Sequence, residues 1–328
     1  MKRILYLILA AALFAGASSC QKSVDKANEL TAVLGPEPGT IDPALNTVFS
    51  TGNYLNLLFE GLYKYADNGA GDAELVPGLA EDAPKKTVNA DGSVVYTYTL
   101  REGLKWSDGK PFTANDIVYS WQRLVDPKTA SKYNYIIDMV ENAAEIIDGQ
   151  KDKSSLGVKA LDDMTVEITL TYDCPFFVTI SGFTATFSVR QDIIEEAGDS
   201  WTLSPATYIS NGPYRLKEWV HNSHLTMEKN PYYYKPVTGP DTIKFMLMEN
   251  NNSILAGFLN GEIDFFESTV PVDEIQELLD SGKLKTVPTI GVFSPNFNNM
   301  EAPFNDERVR KAFSLAVDRN YIVNQITR

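Results

Sequence analysis

The chain has 328 residues, of which 43 are Asp or Glu and 29 are Lys or Arg, so its formal net charge is −14. An acidic chain is repelled by DNA and other polyanions, which argues against nucleic-acid binding. Two cysteines and two histidines predict neither a disulfide framework nor a structural zinc site, and we expect no metal or cofactor. The length suggests roughly two domains, and a hydrophobic content of 44% with 22% charged residues is typical of globular proteins.

The first twenty residues have the order of an export signal. Lys2 and Arg3 precede an apolar run over residues 4–16, which small residues and Cys20 follow. The run is shorter than the roughly 20 apolar residues that a membrane-spanning helix needs, so cleavage is favoured over a transmembrane anchor. The stretch 17–20 (ASSC) resembles the lipobox of bacterial lipoproteins, in which the cysteine is acylated. Because Ala17 stands where that motif usually has Leu, an ordinary cleaved signal is the alternative.

Residues 21–29 are polar and predict a flexible tether between a lipidated Cys20 and the folded body. Lipidation of Cys20 would leave Cys174 without a partner inside the chain. Cys174 is followed by Phe176 and Phe177, and we interpret it as a small hydrophobic side chain rather than a reactive thiol.

The start of the predicted folded body contains a strand and a helix. Residues 30–34 are apolar enough for a short strand, and residues 35–39 (GPEPG) then exclude helix. Apolar residues recur at helical spacing over residues 53–62, which predicts an amphipathic helix with Ser50 or Thr51 as its N-cap.

The next segment has clear strand and helix signals. Residues 94–101 (VVYTYTLR) are rich in β-branched and aromatic residues, so they predict a strand. Thr113 is placed to cap a helix whose third residue is Asp116, close to a capping box, and this helix should run to about Val125. Two shorter patterns predict a strand over residues 166–170 and a helix over residues 191–197.

The rest of the chain interleaves strands and helices without a regular repeat, which predicts a mixed α/β multi-domain protein. The predicted elements are an antiparallel pair over residues 214–219 and 225–228, strands over 243–248 and 263–266, and a helix over 253–260 that Gly261 ends. Apolar helical stripes from Val309 to Ile326 then reach Arg328 without a stop signal. We therefore expect this sequence to be the N-terminal part of a longer protein.

The sequence lacks the common motifs of catalysis. No G-x-G-x-x-G, phosphate loop or G-x-S-x-G occurs. His221 and His224 lie in a predicted hairpin connection, where solvated histidines are favoured over metal ligands. Residues 232–234 (YYY) could form the lip of a binding site. The favoured interpretation is that these aromatic side chains cover an edge of the folded chain. A binding protein is favoured over an enzyme, with a secreted hydrolase as the alternative class.

Several segments resemble one family in the order in which they occur. They are residues 100–116 (LREGLKWSDGKPFTAND), 212–219 (GPYRLKEW), 228–232 (EKNPY) and 302–312 (APFNDERVRKA). These resemble the bacterial extracellular solute-binding proteins of family 5, which serve peptide ABC transporters. The stretches 118–131 (VYSWQRLVDPKTAS) and 156–163 (LGVKALDD) are similar to the oligopeptide-binding type. Dipeptide, nickel and sugar ligands are the alternatives within the family.

The resemblance implies an α/β, two-lobed periplasmic-binding-protein fold of type II with an extra domain and an incomplete second lobe. The implied domains are a signal over 1–20, a first lobe (domain I) over 21–59 plus 191–290, an extra domain (domain II) over 60–190, and the start of the second lobe (domain III) over 291–328. It also implies an extracytoplasmic or periplasmic monomer that is anchored to the membrane by lipid and delivers oligopeptides to ABC permease subunits.

In this family an extended peptide pairs its main chain with protein strands between two lobes, while its side chains enter hydrated pockets. By position, the implied peptide-binding residues are Thr47, Val48 and Phe49 through their backbone, Tyr133 in a pocket wall, and Glu267, Ser268 and Thr269 at the cleft. The last three depart from the oligopeptide pattern. Because an extended ligand needs two walls, we expect weak peptide binding by residues 1–328 alone.

Overall fold

The computed structural model describes residues 28–267, 270–287 and 294–327. The chain divides into two compact units. The described part of the first unit is residues 28–249 and 258–267, and the second unit contains residues 250–257 and the described residues from 270 onward.

Strands and helices alternate along the described chain. The strands are β1 (Glu29–Gly35), β2 (Tyr63–Asp67), β3 (Ala73–Pro77), β4 (Lys85–Val88), β5 (Val94–Thr99), β6 (Val158–Asp162), β7 (Thr165–Leu170), β8 (Tyr214–Val220), β9 (His224–Lys229), β10 (Thr242–Leu247) and β11 (Phe265–Phe266). The helices are α1 (Phe49–Leu58), α2 (Ala114–Val125), α3 (Ala143–Ile147), α4 (Phe177–Ile180), α5 (Gln191–Ala197), α6 (Asn251–Leu259), α7 (Ile275–Asp280), α8 (Glu307–Ala316) and α9 (Arg319–Tyr321), followed by a π-helix over Ile322–Thr327.

A five-stranded sheet brings the start of the described chain together with residues beyond 210. Its strand order is β11-β1-β10-β9-β8, with β1 parallel to both of its neighbours and the pairs β10-β9 and β9-β8 antiparallel. Helix α1 packs against β1 and β8, and its Tyr54 ring meets Phe245 of β10 edge to face at 4.9 Å. This sheet therefore fixes the position of α1.

A second sheet of four antiparallel strands, in the order β4-β5-β7-β6, is built from the residues between α1 and α5. Alternate residues of β5 (Val94, Tyr96, Tyr98) and of β7 (Val166, Ile168, Leu170) are buried, as expected for strands with one face on a core. Helix α2 packs against β6 and β7. Strands β2 and β3 form a separate hairpin.

Several predicted features are confirmed. Helix α2 has a reciprocal capping box between Thr113 and Asp116 and ends at Val125. Strands β8 and β9 form the expected antiparallel pair. Cys174 is buried in the core, where desolvation raises the pKa of its thiol. Burial of an apolar, protonated thiol agrees with its interpretation as a small hydrophobic residue.

The prediction for α1 is wrong at both ends. The helix covers Phe49–Leu58 rather than residues 53–62, and its N-cap is Val48, which makes no side-chain capping bond. Ser50 and Thr51 lie inside the first turn. The earlier start follows from Asn46, whose side chain binds both backbone groups of Val48 and turns the chain there.

The end of α1 is set by a neighbour distant in sequence. The amide of Gly212 donates to the carbonyl of Leu58 at 2.8 Å. A Cβ atom at Gly212 would lie 2.5 Å from the carbonyl carbon of Leu58, so only glycine allows this close approach. Phe59 is extended, and the helix ends.

Two later predictions also need correction. The strand predicted over residues 263–266 is reduced to the two residues of β11. In the second unit the predicted apolar stripe does not form one helix, because Val317 is extended and Asp318 accepts from the backbone N–H of Tyr321 to cap α9. A polar capping residue therefore interrupts the helical period.

Candidate functional site

A groove of about 510 Å³ lies on the first unit where α1 and the loop before it meet α4 and the chain around Tyr133. Its volume lies within the usual range of ligand sites. Its lining residues are Asn46, Thr47, Val48, Phe49, Gly52, Asn53, Asn56, Tyr65, Tyr133, Ile136, Thr179, Ile180, Gly182, Phe183 and Thr184.

The loop before α1 is anchored by a buried ion pair. Asp42, whose side chain is 2% exposed, accepts from both terminal nitrogens of Arg123 at 3.1 and 2.5 Å. Trp201 Nε1 donates to the same carboxylate at 3.3 Å, and the Ala44 amide donates to it at 2.9 Å. These bonds satisfy the buried charge and hold the loop against α2.

Tyr208 adds a second anchor to the loop. Burial, and then the negative charge of Asp42, raise the pKa of Tyr208 well above its usual value. The phenol therefore stays protonated and donates to the carbonyl of Ile41 at 2.6 Å. Its ring stacks on Trp201 with centroids 5.2 Å apart.

The anchored loop presents backbone groups to the groove. Asn46 is buried and binds the N–H and C=O of Val48 at 3.0 and 3.1 Å. Val48 and Phe49 are 50% and 76% exposed. Within the described residues, neither backbone group of Thr47 has a hydrogen-bond partner. Such free backbone groups on a fixed loop are available to an extended ligand.

Ser131 joins this loop to the segment that carries Tyr133. Its buried hydroxyl donates to the carbonyl of Ala44 at 2.5 Å and accepts from the Tyr133 amide at 3.1 Å. One side chain therefore sets the distance between the two sides of the groove.

The Tyr133 ring forms part of an aromatic wall. It meets Phe183 edge to face, with centroids 5.2 Å apart, and lies 6.1 Å from the ring of Tyr135. Ile136 and Ile180 continue the apolar surface. Rings held by such contacts give a large contact area at low entropic cost.

Glu267 lies beside the groove, where it contacts α1. Its backbone N–H donates to the Val33 carbonyl at 2.9 Å, and its carboxylate accepts from Asn53 Nδ2 at 2.8 Å. Since Asn53 lines the groove, an exposed negative charge lies at its rim. Ser268 and Thr269 lie outside the described residues, as does Cys20.

The structure thus brings Thr47, Val48, Phe49 and Tyr133 to one groove. The sequence reasoning missed the groove residues Asn46, Asn53, Ile136, Thr179 and Phe183 and the connecting Ser131. Asn46 carried a usable signal, because an asparagine two residues before the N-cap of a helix is typical of a side-chain turn. The other missed residues carried no such sequence signal, because their neighbours in space are distant in sequence.

The tyrosines at residues 232–234 do not line this groove. The hydroxyls of Tyr233 and Tyr234 donate to the buried carboxylate of Glu60, which Lys64 also contacts at 2.9 Å. Burial first, and then the charge of Glu60, raise the pKa of both tyrosines. The interpretation as edge-covering aromatics fits this arrangement better than a binding lip.

The two histidines have separate carboxylate partners. His221 Nδ1 lies 2.7 Å from Glu37, and His224 Nε2 lies 3.2 Å from Glu218. Across the described ranges no three His, Cys, Asp or Glu side chains are grouped as metal ligands. The same residues include no helix with the length and apolar character to cross a membrane.

Residues 74–328 match the model of the bacterial extracellular solute-binding proteins, family 5. The chain belongs to this family. Family 5 members are solute-binding proteins, which agrees with the prediction of a binding protein rather than an enzyme.

Curated relatives cover nearly all of the chain. The periplasmic oligopeptide-binding protein OppA of Salmonella typhimurium is 37% identical over 97% of this chain and 58% of its own length. The probable deoxycholate-binding periplasmic protein YgiS of Escherichia coli is 37% identical over 88% of this chain and 53% of its own length. This family 5 chain therefore spans little more than half the length of these relatives.

Solved structures confirm the fold class. Haemophilus influenzae OppA in complex with the peptide RPPGFSPFR superposes with a TM-score of 0.82 at 32% identity, over 92% of this chain and 58% of that chain. The family 5 chain thus has the mixed α/β fold of periplasmic binding proteins over about half of their length.

Proposed function

We propose that this protein captures oligopeptides outside the cytoplasm and delivers them to an ABC permease. The observation that carries the proposal is that the Thr47 backbone, which has no hydrogen-bond partner among the described residues, lines the same groove as the aromatic wall of Tyr133. A peptide main chain pairs with the Thr47 backbone, and a peptide side chain enters the groove along the Tyr133 wall. Because the main-chain hydrogen bonds supply the affinity, binding does not depend on one peptide sequence.

The same proposal assigns roles to the other predicted site residues. Val48, whose backbone groups are bonded to Asn46, and Phe49 present exposed side chains to the groove. Glu267 with Asn53 offers acceptor oxygens at the rim. We also assign Ser268 and Thr269 to the cleft on their position next to Glu267.

We propose domain boundaries from the order in which the chain enters the two sheets. Residues 21–59 plus 191–290 form domain I, which is supported by β1 and β8–β11 sharing one sheet. Residues 60–190 form domain II, supported by the separate four-stranded sheet. Residues 291–328 begin domain III. The monomeric state and the lipid anchor at Cys20 belong to the same proposal.

Deoxycholate is the second candidate ligand. It is favoured by the relative named for deoxycholate binding at 37% identity and by the apolar groove lining. A rigid steroid would use the apolar wall but has no main chain to pair with Thr47.

Isothermal calorimetry distinguishes the two ligands. Tripeptides to pentapeptides and deoxycholate are titrated into the full-length protein and into its Tyr133→Ala variant. We expect peptide binding that the variant weakens by about tenfold, because an aromatic contact is lost. Tyr172→Ala, which removes an exposed tyrosine outside the groove lining, serves as the matched control. Binding of deoxycholate without any peptide would overturn the proposal.

A further inference from the structure

The groove lining has a uniform chemistry. Its side chains are aliphatic, aromatic, amide or hydroxyl, and within the described residues no Asp, Glu, Lys or Arg lines it. The apolar part includes Ile136, Ile180 and Phe183 with the Tyr133 ring. A charged ligand group that enters this groove loses hydration without gaining an ionic partner.

The polar groups of the groove are partly committed to the protein itself. Asn46 uses its amide on Val48, and Asn53 donates to Glu267. Asn56 and Thr179 are exposed. Hydroxyl and amide groups tolerate water or an uncharged polar group, but they do not neutralise an ion.

A negative charge lies at the rim of the groove. The Glu267 carboxylate lies at the rim next to Asn53, and the whole chain carries a net charge of −14. A cationic ligand side chain is partly compensated from the rim, whereas an anionic one is repelled.

We infer that this groove binds the side chain at one position of the bound peptide, and that affinity is highest for an apolar side chain, lower for a basic one and lowest for an acidic one. The inference rests on the proposed function and adds to it a substrate class: peptides with an aromatic or large aliphatic residue at that position. The backbone contacts at Thr47 leave the other positions unselected.

The test uses the full-length protein with tetra-alanine as a host peptide. Each position in turn carries Phe, Lys or Glu, and dissociation constants are measured by calorimetry. At one position we expect Phe to bind about ten- to a hundredfold more tightly than Glu, with Lys between them, because burying an aromatic side chain is favourable and burying an unpaired charge is not.

A charge introduced into the lining should reverse the order. In Thr179→Asp a carboxylate replaces an exposed hydroxyl on the groove, so the Lys peptide should bind more tightly than the Phe peptide at the selected position. The matched control is Thr87→Asp on β4, which is exposed and outside the groove lining and should keep the original order.

The outcomes separate the two proposals. If tetra-alanine peptides bind but no position distinguishes Phe from Glu by more than about threefold, the selectivity inference is wrong while the proposed function stands. The same conclusion follows if Thr179→Asp and Thr87→Asp change the order equally. If no peptide binds the full-length protein, the proposed function is overturned and the inference is overturned with it.

Discussion

Ser131 makes two hydrogen bonds with one buried hydroxyl, to the Ala44 carbonyl and from the Tyr133 amide. We expect Ser131→Ala to lower the free energy of unfolding by about 1–3 kcal/mol, because buried backbone groups lose their partner. Peptide affinity should fall as well, because the loop and the aromatic wall are no longer held at a fixed distance. Urea denaturation and calorimetry measure the two effects.

Ser155→Ala is the matched control for Ser131. The Ser155 hydroxyl also donates to a backbone carbonyl, that of Asp152 at 2.6 Å, but it is exposed. Water replaces its bond, so neither stability nor affinity should change measurably. If Ser131→Ala unfolds more easily but binds peptides with unchanged affinity, Ser131 has no positioning role.

Arg123 is the partner of the buried Asp42 carboxylate. We expect Arg123→Met to destabilise the protein by about 3–5 kcal/mol, since the substitution leaves a buried charge uncompensated. The comparison is Lys151→Met, which removes the exposed pair of Lys151 and Glu145 and should have little effect. Equal unfolding midpoints for the two variants would show that the Asp42 network does not hold the loop.

At the scale of the elements, the end of α1 depends on Gly212. We expect Gly212→Ala to cost about 1–3 kcal/mol in unfolding free energy, because the new methyl group would overlap the backbone at Leu58 and Phe59. Gly39→Ala is the matched control, since a Cβ there meets no atom within 4 Å. Denaturant titration of both variants tests the close approach, and a Gly212→Ala protein as stable as the control would contradict it.

The start of α2 has a pH-dependent component. Burial raises the pKa of Asp116, although its carboxylate accepts from the Thr113 amide at 2.8 Å. A raised pKa means that the stability contributed by the protonated form is fully present below the unfolded pKa of about 3.9. That contribution is lost as the pH rises through the folded pKa.

Asp116→Asn keeps an acceptor for Thr113 but does not ionise. We therefore expect the variant to gain stability relative to the parent as the pH rises from about 3.5 to 7. Unfolding free energies from denaturant titration at both pH values measure the difference. A difference that stays constant with pH would show that Asp116 is not responsible.

At the scale of the whole molecule, the prediction concerns attachment. A lipidated Cys20 gives membrane affinity that the following polar residues transmit to the folded body. We expect Cys20→Ala to move the protein from the membrane fraction to the soluble fraction, as judged by fractionation and immunoblotting. A variant that stays in the membrane fraction as fully as the parent would rule out the lipobox.

The elements whose signals are local could be predicted from the amino-acid sequence. The strand within residues 94–101, the capping box of Thr113 and Asp116, and the antiparallel pair of β8 and β9 were all predicted and are present. The segments 100–116 and 212–219 also predicted the family, which the match over residues 74–328 confirms. Each of these signals lies within a short stretch, where propensity and hydrogen bonding between near neighbours decide the conformation.

The C-terminal limit of α1 and the composition of the groove depend on contacts that form only in the folded protein. Gly212 sets the end of the helix and lies far away in sequence. Ser131 and Phe183 reach Ala44 and Tyr133 only after the chain has folded. Packing and buried hydrogen bonds between distant residues carry no local pattern, so the sequence gives no sign of them before the fold brings them together.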